Sequence, residues 1–221
     1  MKSEQPVSAT ATIGILGAGR VGTAVARQAL KAGYRVKLAT SKPADEIELL
    51  VDIVVSGADA AEAAEAMSAD LVVVAVPLHK YRTLHPAQLA GKTVIDVMNY
   101  WPAIDGQIDE FADDPRGSSE IIADFLADSL VVKSLNHIGY HELEEDGRPS
   151  GAADRRALAL AGDHGGAKSV VAGFIDRLGY DTFDAGPLAA GRAFGPGTEI
   201  FNGRHSVAQM ATLFAGASLA A

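Results

Sequence analysis

Three glycines, Gly17, Gly19 and Gly22, sit in the run IGILGAGRVGTAVA, where an apolar strand pattern passes directly into a helical one. The chemistry this spacing serves is the binding of a dinucleotide pyrophosphate. The first glycine permits a tight turn, the second lets phosphate approach the backbone, and the third allows the helix to pack on the strand. Ala18, Arg20 and Val21 complete the loop, and the helix N-terminus adds free N–H groups and a partial positive charge. The second strand of such a unit ordinarily ends in an Asp or Glu that binds the 2′-hydroxyl of an adenosine ribose. Here it ends in Thr40, Ser41 and Lys42. A carboxylate would repel a 2′-phosphate, whereas two hydroxyls and a cation bind it through charge-assisted hydrogen bonds. The expected cofactor is therefore NADP(H), with Arg20 a candidate to lie over the adenine or reach the same phosphate. The plainer alternatives are a structural turn and a polar strand end with a solvated lysine.

The elements that must position these residues alternate along the chain. Apolar runs predict strands at residues 11–16, 35–39, 52–55, 70–77, 92–99 and 130–136, and helical spacing predicts helices at 21–32, 60–67 and 119–127. The segment 70–77 is apolar almost throughout, as a strand buried on both faces should be. A strand at 157–162, a helix at 167–178, a short strand near 182–184 and an apolar C-terminal helix follow. The succession predicts an α/β fold: a Rossmann-type doubly wound parallel sheet with a small C-terminal α/β extension ending in a helix. Residues 1–10 read as a loose polar tail and 11–150 as the NADP-binding domain. Residues 151–221 read as an extension packed on the same sheet that completes the acceptor site.

Composition narrows the partners. The 221 residues are 48% hydrophobic and carry a net charge of −9 with no basic tract, which argues against nucleic acid. There is no cysteine, so disulfides and thiolate chemistry are excluded. The polar N-terminus lacks a signal-peptide core and no apolar run is long enough to span a bilayer, so the expectation is a cytoplasmic protein without a membrane partner. The apolar segment ATLFAGASLAA suggests a buried or subunit-facing helix, and on that ground a homodimer is expected.

About 70 residues follow the last nucleotide-binding strand, too few for a large helical substrate domain. The second substrate must then lie in the crevice at the carboxyl ends of the strands, beside the nicotinamide. Three strand ends face it, with the strings VPLHKYR, NYWP and NHIGYHE, and they bring His79, Asn99, Tyr100, Trp101, Asn136, His137 and His141 into one neighbourhood. An aromatic wall of Tyr100 and Trp101 would suit a flat redox partner, or simply pack. His137 and His141 are four apart, but no third ligand is evident, so no metal is expected.

The chain resembles the NADPH:coenzyme F420 oxidoreductase family. The resemblance is carried by IGILGAGRVG, the Thr40-Ser41-Lys42 strand end, VVVAVP with a following His, KSLNHI, ALAGDHGGAKSVVAGFIDRLGY and, most specifically, DAGPLAAGR. It implies hydride transfer between NADPH and the deazaflavin coenzyme F420, a small-molecule redox acceptor. It places the adenosine phosphate at Thr40, Ser41 and Lys42, the nicotinamide at Val76, Pro77 and His79, and the deazaflavin at Asn136, His137 and Ile138; Asn99, at its strand end, is a further cofactor-binding candidate. The family often has Arg where this chain has Lys42, a point charge without the planar fork. His137 is then the candidate proton relay, with water an equal candidate. The alternatives are an NADPH-dependent reductase of a flavin, a quinone or another small acceptor, and a non-catalytic NADPH-sensing Rossmann protein.

Overall fold

The computed structural model describes residues 10–201 and 203–218. The first half of the chain lays down β1 (Thr12–Leu16), α1 (Arg20–Lys31), β2 (Arg35–Ala39), α2 (Ala44–Val54), β3 (Asp59–Ala60), α3 (Ala63–Met67), β4 (Leu71–Val74), α4 (Pro86–Leu89) and β5 (Thr93–Asp96). Two single turns, α5 (Pro102–Asp105) and α6 (Asp109–Ala112), lead to α7 (Ser118–Phe125), β6 (Leu130–Ser134) and α8 (Tyr140–Glu145). The chain closes with β7 (Ala157–Gly162), α9 (Gly165–Leu178), β8 (Asp181–Asp184) and α10 (Val207–Ser218). The strands form one sheet of eight in the order β3-β2-β1-β4-β5-β6-β7-β8. Every neighbouring pair is parallel except β6 with β7, where Ser134 faces Leu160 in antiparallel register.

Alternation along the strands distributes side chains to two faces. Ile13, Ile15, Val36, Leu38, Leu71 and Val73 pack with Ala24, Val25 and Ala29 of α1 and with Phe174 of α9. Leu16, Val72, Val74, Val94 and Val131 point the other way, onto Met67, Phe111 and Ile122. At the far edge Ala157, Ala159 and Ala161 meet Phe194 and Met210, so α10 covers the end of the sheet.

The strand expected at residues 52–55 does not form. Those residues end α2, and the third strand comes later, at Asp59–Ala60, where a helix had been expected to begin. The reason is period: Ile47, Val51 and Val55 are buried at helical spacing while Leu49 and Ile53 are each 72% exposed. A β-branched run thus obscured a helical face. The helix expected from residue 60 starts at Ala63.

Candidate dinucleotide and acceptor site

The order of strands reverses between β1 and β4, and a crevice of about 1040 Å³ opens at their carboxyl ends. Such a switch point is where open α/β sheets take their ligands. Residues 17–21 form one wall, Thr40, Ser41, Lys42 and Pro43 another, and Ala75, Val76 and Pro77 a third.

The three glycines have different physical reasons. Gly17 turns the chain at φ 117°, and a Cβ there would lie 2.4 Å from the Ala75 carbonyl oxygen. Its N–H donates to Ala39 O at 2.8 Å, which ties the loop to the end of β2. A Cβ on Gly22 would lie 1.9 Å from Gly17 O, so α1 packs against its own loop only without a side chain there. Gly19 has an ordinary φ of −76°, and a Cβ would meet nothing within 4 Å. Nothing in the protein's own packing requires glycine at this position. A side chain there would fill the cradle in front of α1, which has no side-chain N-cap and no acidic residue in its first turn. The residues present therefore fit a dinucleotide pyrophosphate.

At the end of β2 the Lys42 N–H donates to Thr40 Oγ1 at 3.1 Å, holding a tight polar turn. Lys42 Nζ stands 3.7 Å from Glu46 Oε2, both side chains being largely exposed. Glu62 faces the same crevice, and its Oε1 accepts the Ala44 N–H at 2.8 Å. On the opposite side the 3₁₀ turn Leu78–Thr83 and the following residues add Lys80, Thr83 and His85 to the lining. None of Glu62, Lys80, Thr83 and His85 was singled out from sequence. The string VPLHKYR contains the signal, but a 3₁₀ turn presents the residue after His79. His79 itself is exposed and lies outside the lining.

Arg20 lines the same crevice and also reaches α8. Its Nη1 is 3.4 Å from Tyr140 Oη, and the guanidinium sits 5.6 Å from the centre of that ring. The contact joins the glycine loop to α8 across 120 residues of sequence, which no local pattern could indicate.

The acceptor-side residues are placed differently from the expectation. Asn99 and Asn136 are spent on each other: Asn99 Nδ2 donates to Asn136 O at 2.8 Å, and Asn136 Nδ2 donates to Asn99 Oδ1 at 3.0 Å and to Phe194 O at 3.0 Å. His137 is 2% exposed, with Nε2 accepting the Ala159 N–H at 2.9 Å and Nδ1 at 3.2 Å from Asn136 Oδ1. Burial first, then the positive charges of Arg156 and Lys133, push its pKa down to about 3. That imidazole is neutral, carries its proton on Nδ1, and has no nitrogen turned to the crevice. Burial and spent lone pairs thus run against the proton-relay role expected for His137, and leave it a part in locking β6 to β7. Ile138 is buried beside it. Leu135, at φ 60°, turns the chain out of β6 in a left-handed conformation unusual for a bulky residue.

Beneath this turn lies a buried ionic cluster. Lys133 Nζ donates to Met98 O and stands 3.7 Å from Asp96 Oδ2, while Ser119 Oγ donates to the same carboxylate oxygen at 2.6 Å. Burial lowers the Lys133 pKa, and Asp96 opposes that shift. A Cβ on Gly191 would come 3.2 Å from Lys133 Cγ, so the DAGPLAAGR string packs its glycine on the lysine stem. Trp101 is 41% exposed and meets Phe201 edge-on at 5.6 Å. Among the described residues no group of three His, Asp or Glu side chains is placed to hold a metal.

The fold and the glycine crevice are those of a Rossmann-type α/β protein. Residues 12–100 match the family described as NADP oxidoreductase, coenzyme F420-dependent. The match ends before KSLNHI and DAGPLAAGR, so those strings lie outside it. A hypothetical protein from Sinorhizobium meliloti is 26% identical over 89% of this chain and 95% of its own, with a TM-score of 0.73. A proposed F420-dependent NADP reductase from Arthrobacter sp. is 24% identical over 83% of this chain and 88% of its own, with a TM-score of 0.70. The 3-hydroxyisobutyrate dehydrogenase of Mycobacterium tuberculosis shares the fold at 17% identity and a TM-score of 0.59, and this chain spans 57% of its length. No curated protein matches the chain. Among the described residues no helix is long and apolar enough to cross a membrane.

Proposed function

We propose that this protein exchanges a hydride between NADPH and the deazaflavin coenzyme F420. The observation that carries the reading is the open position at Gly19, a cradle that a Cβ would fill, in a crevice whose β2 wall is Thr40, Ser41 and Lys42. The match of residues 12–100 supports the choice of acceptor. In this reading the N–H groups at the start of α1 hold the pyrophosphate and the β2 end holds the 2′-phosphate. Val76 and Pro77 form the apolar wall against the nicotinamide. The bound pair supplies the redox chemistry: a hydride leaves the nicotinamide for the deazaflavin ring, which also takes up one proton.

The chain's own contribution is orientation. The Asn99–Asn136 pair and the Lys133–Asp96 cluster tie the ends of β5 and β6 together, next to β4, whose end lines the crevice. Burial keeps His137 out of proton exchange, and water delivers the proton. The working unit is proposed to be a cytoplasmic homodimer, with the exposed part of α10 against the partner. The domain limits proposed are 11–150 for the nucleotide-binding part and 151–221 for the extension.

The test is to mix the purified protein with NADPH and F420 and follow loss of the deazaflavin absorbance by stopped flow, with FMN in a parallel reaction. F420 reduction that saturates in NADPH is the expected result. Rapid reduction of FMN with none of F420 would replace the acceptor. Tight NADPH binding with no turnover on either would make the protein a sensor.

A further inference from the structure

We propose that two of the protein's own carboxylates, Glu62 in the crevice lining and Glu46 beside Lys42, compete for the donors of the 2′-phosphate subsite and set how strongly NADPH is preferred over NADH. This rests on the cofactor reading above. Two donors at the β2 end suit a phosphate: the Lys42 ammonium and the Ala44 N–H, the first free N–H of the 11-residue α2. Each of them already faces a carboxylate. Glu46 Oε2 stands 3.7 Å from Lys42 Nζ, and Glu62 Oε1 accepts the Ala44 N–H at 2.8 Å. Glu62 is the acidic side chain in the crevice lining, beside Ser41, Lys42 and Pro43.

Without ligand the arrangement is favourable, because carboxylates at the start of α2 complement the helix dipole and Lys42. With a 2′-phosphate present it becomes a competition between three anions for the same donors. Both glutamates are exposed, so they can swing outward, but their charges remain within the screening distance of the phosphate. NADH brings no phosphate to this corner and escapes the competition. The carboxylates therefore weaken NADPH selectively and restrain a preference that Lys42 alone would make larger.

Glu62→Gln keeps an acceptor for the Ala44 N–H and removes only the charge, and Glu46→Gln does the same beside Lys42. Calorimetric titration of both variants and the unaltered protein with NADPH and with NADH, at low and high salt, reads the effect. Each substitution should raise the NADPH-to-NADH affinity ratio by about three- to tenfold at low salt, and by less at high salt. A purely capping role would leave the ratio unmoved, so an unchanged or lowered ratio in both variants, with normal NADPH binding by the unaltered protein, overturns this inference alone. An unaltered protein that binds neither dinucleotide overturns the cofactor reading and this inference with it.

Discussion

Replacing Gly19 with valine should separate folding from binding, because the structure gives this glycine no internal role. Its φ of −76° and ψ of −177° lie in the region valine prefers, and a Cβ meets nothing within 4 Å. Gly19 is the N-cap of α1, where valine is a poorer residue than glycine, so the stability loss should be about 1 kcal/mol or less. For a domain of this size that lowers Tm by about 2–4 °C. The added methyls occupy the space in front of the α1 N–H groups. A displaced pyrophosphate forfeits at least two charge-assisted hydrogen bonds of roughly 1.5–3 kcal/mol each, so NADPH affinity should fall by about 10²–10⁴-fold. Gly22→Ala is the contrasting variant: its Cβ would lie 1.9 Å from a backbone oxygen, and it should cost about 1–3 kcal/mol or more of stability. Calorimetry with NADPH and a circular dichroism melt on both proteins decide the matter. A folded Gly19→Val protein with full NADPH affinity would refute the reasoning.

Lys42→Asp should lower the NADPH preference by roughly ten- to a hundredfold, the worth of one charge-assisted contact, read from Kd values for both dinucleotides; an unmoved preference would make Lys42 a bystander. Lys133→Met leaves the buried Asp96 carboxylate without its cation and should cost about 3–5 kcal/mol in urea unfolding, part of it recovered by adding Asp96→Asn. No loss in the single variant would show that the pair is not ionic. His137 titrates near 3 when folded and about 6.5 when unfolded, so the unfolded chain binds the extra proton between those values. Its contribution is whole above about pH 6.5 and is lost as pH falls toward 3, by up to about 1.4 kcal/mol per pH unit. His137→Gln, which keeps an acceptor for Ala159 N–H, should flatten that window in urea titrations from pH 7 to 4, and an unchanged slope would place the histidine elsewhere.

Much of the nucleotide half is written locally. Gly17 and Gly22 mark a turn whose demands are steric, the apolar runs of β1 and β4 are buried on both faces, and β2 alternates Val36 and Leu38 inward with Arg35 and Lys37 toward solvent, so their positions follow from the sequence. Thr40, Ser41 and Lys42 also sit where the spacing placed them, at the mouth of the crevice. Local pattern failed at α2, where a β-branched stretch sits on a helix whose burial repeats at three to four residues.

The far side of the site was decided by contacts between distant segments. His137 is two positions from a left-handed Leu135, and that turn sends its ring to the Ala159 amide of an antiparallel neighbour instead of to the crevice. Asn136 and Asn99 pair across 37 residues, Arg20 finds Tyr140 across 120, and Glu62 reaches the start of α2 across 18. Sequence fixes what a side chain can donate, accept or carry as charge. Which partner it meets, and whether water reaches it, depends on the packing of β6 against β7 and of α3 beside α2, and there one histidine is held neutral and one glutamate accepts the first N–H of α2.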